Sequence, residues 1–291
     1  MNHQGVDAVS GVYNGENMEQ TRTYEKLDHP EVLARLFYPR QDTTPPPDGA
    51  QDHAIEVEPG VTLGARFFLT DNPGAINLLF FHGNGEVVSD YDDVGPQYTA
   101  QGINFLAIDY RGYGQSTGSP TVTAMVRDAH RVLNWVREWL TGQGCTGNLV
   151  VMGRSLGSVS AIELASSEEA VAGLIIESGI AQTMPLLLTI GVDVQALGID
   201  EADGFGNLQK IAMVQKPTYI LHAQHDQIIS ICLAEGLQSV CGARSKEFQM
   251  IPGADHNNIL ALTGPLYFKA ISQFLKKIGK SHGPRRSGIR G

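Results

Sequence analysis

The sequence predicts an α/β protein: a mostly parallel sheet with helices on both of its faces. Three observations carry this. Short apolar runs recur along the chain, stretches with apolar residues every three or four positions lie between them, and the runs are near-continuously apolar. The alternation of the two periods implies strand–helix units, and strands without a polar face are strands buried on both sides.

Taken in order, residues 1–20 are polar and glycine-spotted, which reads as a loose terminal segment. They lack the basic flank and apolar run of a signal peptide. "DHPEVLARLFYPR" reads as a short helix with Asp28 as its cap and Pro30 in its first turn. "QDTTPPPDGA" is a turn-forming linker, so residues 1–50 are expected to form an arm and linker ahead of a single domain at 51–279. "HAIEVEPGVTLGARFFL" predicts an antiparallel, hairpin-like pair at the sheet edge, its second strand at 63–69. Further strands are predicted at 76–81, 103–108, 148–152, 171–176, 217–221 and 247–251, which makes eight in all. "TAMVRDAHRVLNWVREWL" and "PLYFKAISQFLKKI" carry the clearest helical periods. Residues 280–291 complete a basic tail, "KKIGKSHGPRRSGIRG", which reads as a solvated segment rather than a tether. No internal repeat or second domain is visible.

At 291 residues, 42% hydrophobic and 18% charged, the chain can bury a sizeable core. A net charge of −10 argues against nucleic acid or an anionic membrane as the partner of the body. Three cysteines, Cys145, Cys232 and Cys241, do not make a disulfide framework and fit a reducing compartment. No apolar run reaches about 18 residues, so no membrane span is expected, and the expected location is cytoplasmic.

Two stretches read G-x-S-x-G: Gly153–Gly157 around Ser155, and Gly114–Gly118 around Ser116. With 33 glycines in the chain, such a match is cheap, and context decides. Ser155 follows the strand "NLVVM" and precedes the helical run "LGSVSAIELASS". That strand–turn–helix context presents a nucleophile on a tight turn, with a helix N-terminus favouring negative charge beneath it. Ser116 lies in a loop beyond its strand, where serines hydrogen-bond backbone turns. A nucleophile also needs a base and an orienting acid, in the chain order Ser, Asp or Glu, His. Asp226 in "HDQII" and His256 in "DHNN" meet that order, each on the loop after a predicted strand.

"FHGNGE", "DYRGYGQS", "GRSLG", "HAQHDQII" and "GADHNN" together resemble the serine hydrolases of the α/β-hydrolase superfamily, over roughly residues 54–278. The nearest likeness is to depalmitoylase-like α/β-hydrolase-domain proteins with an H-G-N oxyanion loop. The resemblance implies the α/β-hydrolase fold, Ser155 as nucleophile, Asp226 as acid and His256 as base. It implies an oxyanion hole from the backbone N–H groups of Asn84 and Leu156, and a structural role for "DYRGYGQS". Those depalmitoylases carry an N-terminal cysteine cluster for lipidation; here the first 144 residues contain no cysteine. Where this fold inserts its cap, about residues 180–212, "TMPLLLTIGVDVQALGI" is expected to form a short helical lid over an apolar pocket. Met184, Leu187 and Leu188 are the expected substrate contacts.

Four other residues compete for roles. Glu177 ends the strand after the nucleophile, where an alternative acid could stand; it reads rather as a polar residue at the pocket rim. His82 reads as loop-shaping rather than acid–base. His222 and His225 form an H-x-x-H without a helical scaffold, so no metal site is expected. Arg154 offers no substrate clue. The expected function is an esterase or thioesterase acting on a small-molecule acyl substrate without a cofactor. A peptidase or amidase could use the same three residues, and a binding protein could keep the fold without turnover. A haloalkane dehalogenase would need Asp at position 155. Acyl group, leaving group and oligomeric state are left open.

Overall fold

Both faces of most strands are apolar, so each strand can only be satisfied between two layers of helices. In the computed structural model, which describes residues 23–280, they are arranged in that way. The strands are β1 (Ala50–Glu58), β2 (Val61–Phe68), β3 (Ile76–Phe81), β4 (Ile103–Ile108), β5 (Leu149–Arg154), β6 (Val171–Glu177), β7 (Thr218–Ala223) and β8 (Lys246–Ile251). The helices are α1 (Pro30–Leu36), α2 (Gly95–Thr99), α3 (Val122–Gly142), α4 (Gly157–Ser167), α5 (Thr183–Thr189), α6 (Asn207–Met213), α7 (Ile231–Val240), α8 (Ile259–Thr263) and α9 (Pro265–Lys280). Among the described residues the strands form one eight-stranded sheet, ordered β1-β2-β4-β3-β5-β6-β7-β8. β2 runs antiparallel to both its neighbours, and the remaining pairs are parallel. Strand ends lie within two residues of their expected positions.

Alternate residues of each strand supply two cores. Leu79 and Phe81 face one layer, with Val132, Leu133 and Val136 of α3 and Ile162 of α4. Leu78 and Phe80 face the other, with Tyr98 of α2 and Ile271, Phe274 and Leu275 of α9. The order of the strands reverses direction between β3 and β5, and a crevice opens beyond the carboxyl ends of strands at such a point.

The N-terminal segment differs from expectation in two ways. Helix α1 is capped by His29, whose Nδ1 accepts from the Glu31 N–H at 3.3 Å, rather than by Asp28. Asp28 reaches across the fold instead, accepting from the backbone N–H groups of Val122 (2.7 Å) and Thr123 (3.2 Å) at the start of α3. It helps satisfy the free N–H groups of the 21-residue helix, which shares its first turn with Thr121. Tyr24, Leu27, Val32, Leu36 and Phe37 are all buried in the core shared with α3 and α4. The stretch expected to stand apart therefore packs on the body. The polar stretch 1–20 and residues 281–291 of the basic tail lie outside the described residues. No described helix is long and apolar enough to cross a membrane.

Candidate active site

The crevice at the β3/β5 reversal gathers four loops, each leaving the carboxyl end of a parallel strand. Ser155 follows β5 directly, in a left-handed conformation with φ of 51°. Non-glycine residues rarely adopt that region, and it costs about 1–3 kcal/mol. The turn is so tight that a Cβ on Gly153 would strike the Gly157 carbonyl, and one on Gly157 the carbonyl of Phe81. Glycine at both positions is what lets the chain reverse from β5 into α4.

His256, on the loop after β8, places Nε2 3.0 Å from Ser155 Oγ and Nδ1 2.7 Å from Asp226 Oδ2. Asp226, after β7, also accepts from the N–H groups of Ile228 (3.0 Å) and Ile229 (2.8 Å) through Oδ1. Its carboxylate is buried. Burial works to raise its pKa, but the His256 bond and charge and the Ile229 N–H outweigh it and hold the group below the usual carboxylate range. An ionised Asp226 accepts a hydrogen bond from Nδ1–H, which leaves Nε2 free to accept from the serine hydroxyl.

Asn84 lies on the loop after β3 and Leu156 directly follows Ser155; both line the cavity that holds Ser155. Among the described residues, neither backbone N–H has a partner. Asn84 is anchored through its side chain, whose Oδ1 accepts from the Tyr38 N–H (2.9 Å) and the Tyr113 hydroxyl (2.6 Å). Tyr113 belongs to "DYRGYGQS", and in the same loop the Tyr110 hydroxyl donates to the His82 carbonyl at 2.7 Å. Ser116 Oγ accepts from the Gly64 N–H at 2.8 Å and is buried away from His256. This loop braces the one that carries Asn84.

The cavity measures about 310 Å³, with Leu36, Leu156, Ile180, Leu186, Ile190 and Ile228 as its apolar wall. None of Met184, Leu187 and Leu188 lines it. Leu187 is fully buried in the core, Met184 packs against that core, and Leu188 is 59% exposed. The reason is the helical period: Leu186 and the C-cap residue Ile190 lie on one stripe, while 187 and 188 are turned about 100° and 200° from it. Leu36 and Tyr38 reach the site from the N-terminal segment, and no local pattern marks them for it.

The competing residues fall elsewhere. Glu177 is buried beneath the site rather than at its rim, accepting from Arg154 Nε at 3.2 Å and from the Tyr267 hydroxyl. Burial pushes its pKa up, partly offset by Arg154. Buried His82 has Nδ1 2.8 Å from the Gly83 carbonyl oxygen and Nε2 3.2 Å from Asp109. His222 is buried with Nε2 donating to the Ile229 carbonyl at 2.8 Å, whereas His225 is exposed. Among the described residues no group of three or more His, Cys, Asp or Glu side chains is arranged to hold a metal ion. Arg154, passed over in the sequence, lines the cavity and donates to the His256 carbonyl at 2.9 Å.

A family model described as serine aminopeptidase, S33, matches residues 73–194. The chain is 29% identical over 235 residues to the α/β-hydrolase domain-containing protein 17C of Xenopus laevis, spanning 76% of this chain and 70% of that protein. It is 29% identical over 205 residues to protein bem46 of Schizosaccharomyces pombe, spanning 68% and 66% respectively. Among solved structures, an esterase of Pyrococcus furiosus superposes with a TM-score of 0.67 at 17% identity, over 83% of this chain and 98% of that one.

Proposed function

We propose that the chain is a hydrolase of the α/β-hydrolase superfamily, resembling the α/β-hydrolase domain-containing proteins, and that it cleaves a carboxylic ester or thioester through an acyl-enzyme on Ser155. The observation that carries the proposal is the hydrogen-bonded chain from Asp226 through His256 to Ser155, opening on a mostly apolar cavity. Ser155 Oγ attacks the acyl carbonyl as His256 Nε2 takes its proton; the new C–O bond pushes an electron pair onto the carbonyl oxygen. The N–H groups of Asn84 and Leu156 hold that oxyanion. On collapse the leaving group departs with the proton from His256. Water then gives a proton to His256 and its oxygen to the acyl carbon, releasing the acid and restoring Ser155.

The apolar wall favours an aliphatic acyl chain. Each buried CH₂ is worth about 0.8 kcal/mol, or roughly fourfold in kcat/KM, until the cavity is full. We expect kcat/KM to climb from acetyl to about butyryl or hexanoyl p-nitrophenyl esters and then level.

The serine aminopeptidase description of the matching family model favours a second reading, in which the same residues cleave an amide. Against it, Glu86 is the only carboxylate among the described residues lining the cavity, and it is already paired with Arg154. Among the described residues lining the cavity, no unpaired carboxylate is left for a substrate α-ammonium. Labelling with a fluorophosphonate probe, followed by a panel of esters, thioesters and aminoacyl-anilides, tests these readings. Wild-type protein should be labelled and Ser155→Ala should not, whereas Ser116→Ala should keep both label and turnover. Turnover of anilides with a flat ester profile favours the peptidase; absence of label points to a binding protein.

A further inference from the structure

Arg154 is the last residue of β5, immediately before Ser155, and only 13% of its side chain is exposed. Its guanidinium touches two loops and the end of β6. Nη1 pairs with Glu86, Nε donates to Glu177 Oε1 at 3.2 Å, and Nη2 donates to the His256 carbonyl at 2.9 Å, with Asn257 Oδ1 at 3.4 Å. Its two acidic partners are themselves tied down. Glu86 Oε2 accepts from the Gly83 N–H (2.6 Å) and the Tyr91 hydroxyl (2.6 Å), and Glu177 from the Tyr267 hydroxyl of α9. Gly83 directly precedes Asn84. The planar fork therefore joins the oxyanion-side turn, the end of β6 and the histidine loop to the residue beside the nucleophile.

The histidine loop has few other ties. Asp255, Asn257 and Asn258 bond mainly to one another, and the His225 N–H donates to the Ala254 carbonyl at 2.8 Å. Of the imidazole bonds, the one to Ser155 must break and re-form in catalysis, while the one to Asp226 holds the tautomer. Arg154 adds a fixed donor to the backbone of His256 itself.

We propose that Arg154 is the positioning residue of this site: by gripping the His256 carbonyl and the 83–86 turn together, it fixes the imidazole and the oxyanion-side turn relative to Ser155. The inference rests on the serine-hydrolase reading above. A lysine at 154 keeps the charge but is a single point donor without the planar fork, so it cannot serve all three partners in the same geometry. Displacement of a catalytic group by about 1 Å costs on the order of 10² in rate.

Two variants separate positioning from simple stability. Arg154→Lys preserves the cation. Arg154→Gln combined with Glu86→Gln and Glu177→Gln removes all three charges, so no unpaired charge stays buried if Arg154→Lys fails to fold. For whichever variant retains the wild-type far-UV spectrum, kcat on p-nitrophenyl butyrate should fall about 10- to 100-fold with KM within about threefold. The low-field proton NMR signal of His256 Nδ1–H on Asp226 should shift or broaden in the same variant. Wild-type kcat together with an unchanged signal overturns the proposal, as does a loss of thermal stability that leaves both intact. The signal is read without substrate. If wild-type protein takes no fluorophosphonate label, the hydrolase reading fails by itself, and an unchanged signal in the variants is then what overturns the positioning role.

Discussion

At the scale of single residues, Ser155, His256 and Asp226 owe their alignment to backbone groups as much as to one another. Asp226 is held by the N–H groups of Ile228 and Ile229, so an asparagine there could keep its position while changing its chemistry. An amide turned toward Nδ1 as a donor forces the imidazole proton onto Nε2, the atom that must accept from Ser155. Asp226→Asn should therefore lower kcat by about 10⁴ with KM little changed, measured on any ester the protein turns over. Glu177 makes no hydrogen bond to His256, and Glu177→Gln should cost far less. The reverse ranking would move the acid to the end of β6. Because the His256 bond and charge hold the Asp226 pKa below the usual carboxylate range, protonation of Asp226 should not limit kcat on acidification until below that range, which a pH profile checks.

At the scale of an element, the seven residues of α5 show three environments within one turn. Leu186 faces the cavity, Leu187 is fully buried in the core and Leu188 is 59% exposed. Three alanine substitutions should part accordingly. Leu186→Ala should flatten the rise of kcat/KM with acyl length, by roughly fourfold per lost methylene contact. Leu187→Ala should lower stability by about 2–5 kcal/mol with little change in the chain-length slope. Leu188→Ala should do neither. Thermal melts and the ester panel together check the set, and a steep effect from Leu188→Ala would mean the helix closes differently over substrate.

For the molecule as a whole, the N-terminal segment is part of the core and of the site. Tyr24, Leu27, Val32, Leu36 and Phe37 are each nearly inaccessible, at about 1.5–3 kcal/mol apiece, against a typical total stability of about 5–15 kcal/mol. Deletion of residues 1–40 should thus abolish cooperative unfolding rather than merely trim an arm. A second whole-molecule feature is the ion cluster of His130 on α3, Glu163 on α4, Glu168 and Lys210 on α6. Despite the burial penalty, a hydrogen bond from His130 and the Lys210 charge hold Glu163 down to about 2. Burial works to lower the His130 value, but Glu163 and Glu168 raise it. The carboxylate therefore contributes stability above the ordinary carboxylate range, lost as pH falls toward about 2. The imidazolium contributes below the ordinary histidine range, lost as pH rises through its raised value. Glu163→Gln should cost more Tm at about pH 6 than at about pH 3, and His130→Gln more at about pH 5.5 than at about pH 9.

The strands, their mostly parallel pairing and the candidate nucleophile, base and acid were legible in the sequence because each rests on a local pattern. An apolar run declares a strand buried on both faces. Glycine at 153 and 157 declares a turn that no Cβ could enter. Asp226 and His256 follow strands at the end where such sheets gather their loops. Other features depend on residues distant in the chain meeting in space, and no local pattern encodes that. Asp28 had the composition of a cap for the helix beside it, yet it caps α3, 94 positions away, because α1 packs there. Arg154 meets His256 across 102 positions, and Tyr38 meets Asn84 across 46. Within α5 the apolar residues are nearly interchangeable in composition. Which leucine faces the cavity follows from the rotation at which the helix docks, and that rotation is set by the packing of the whole core.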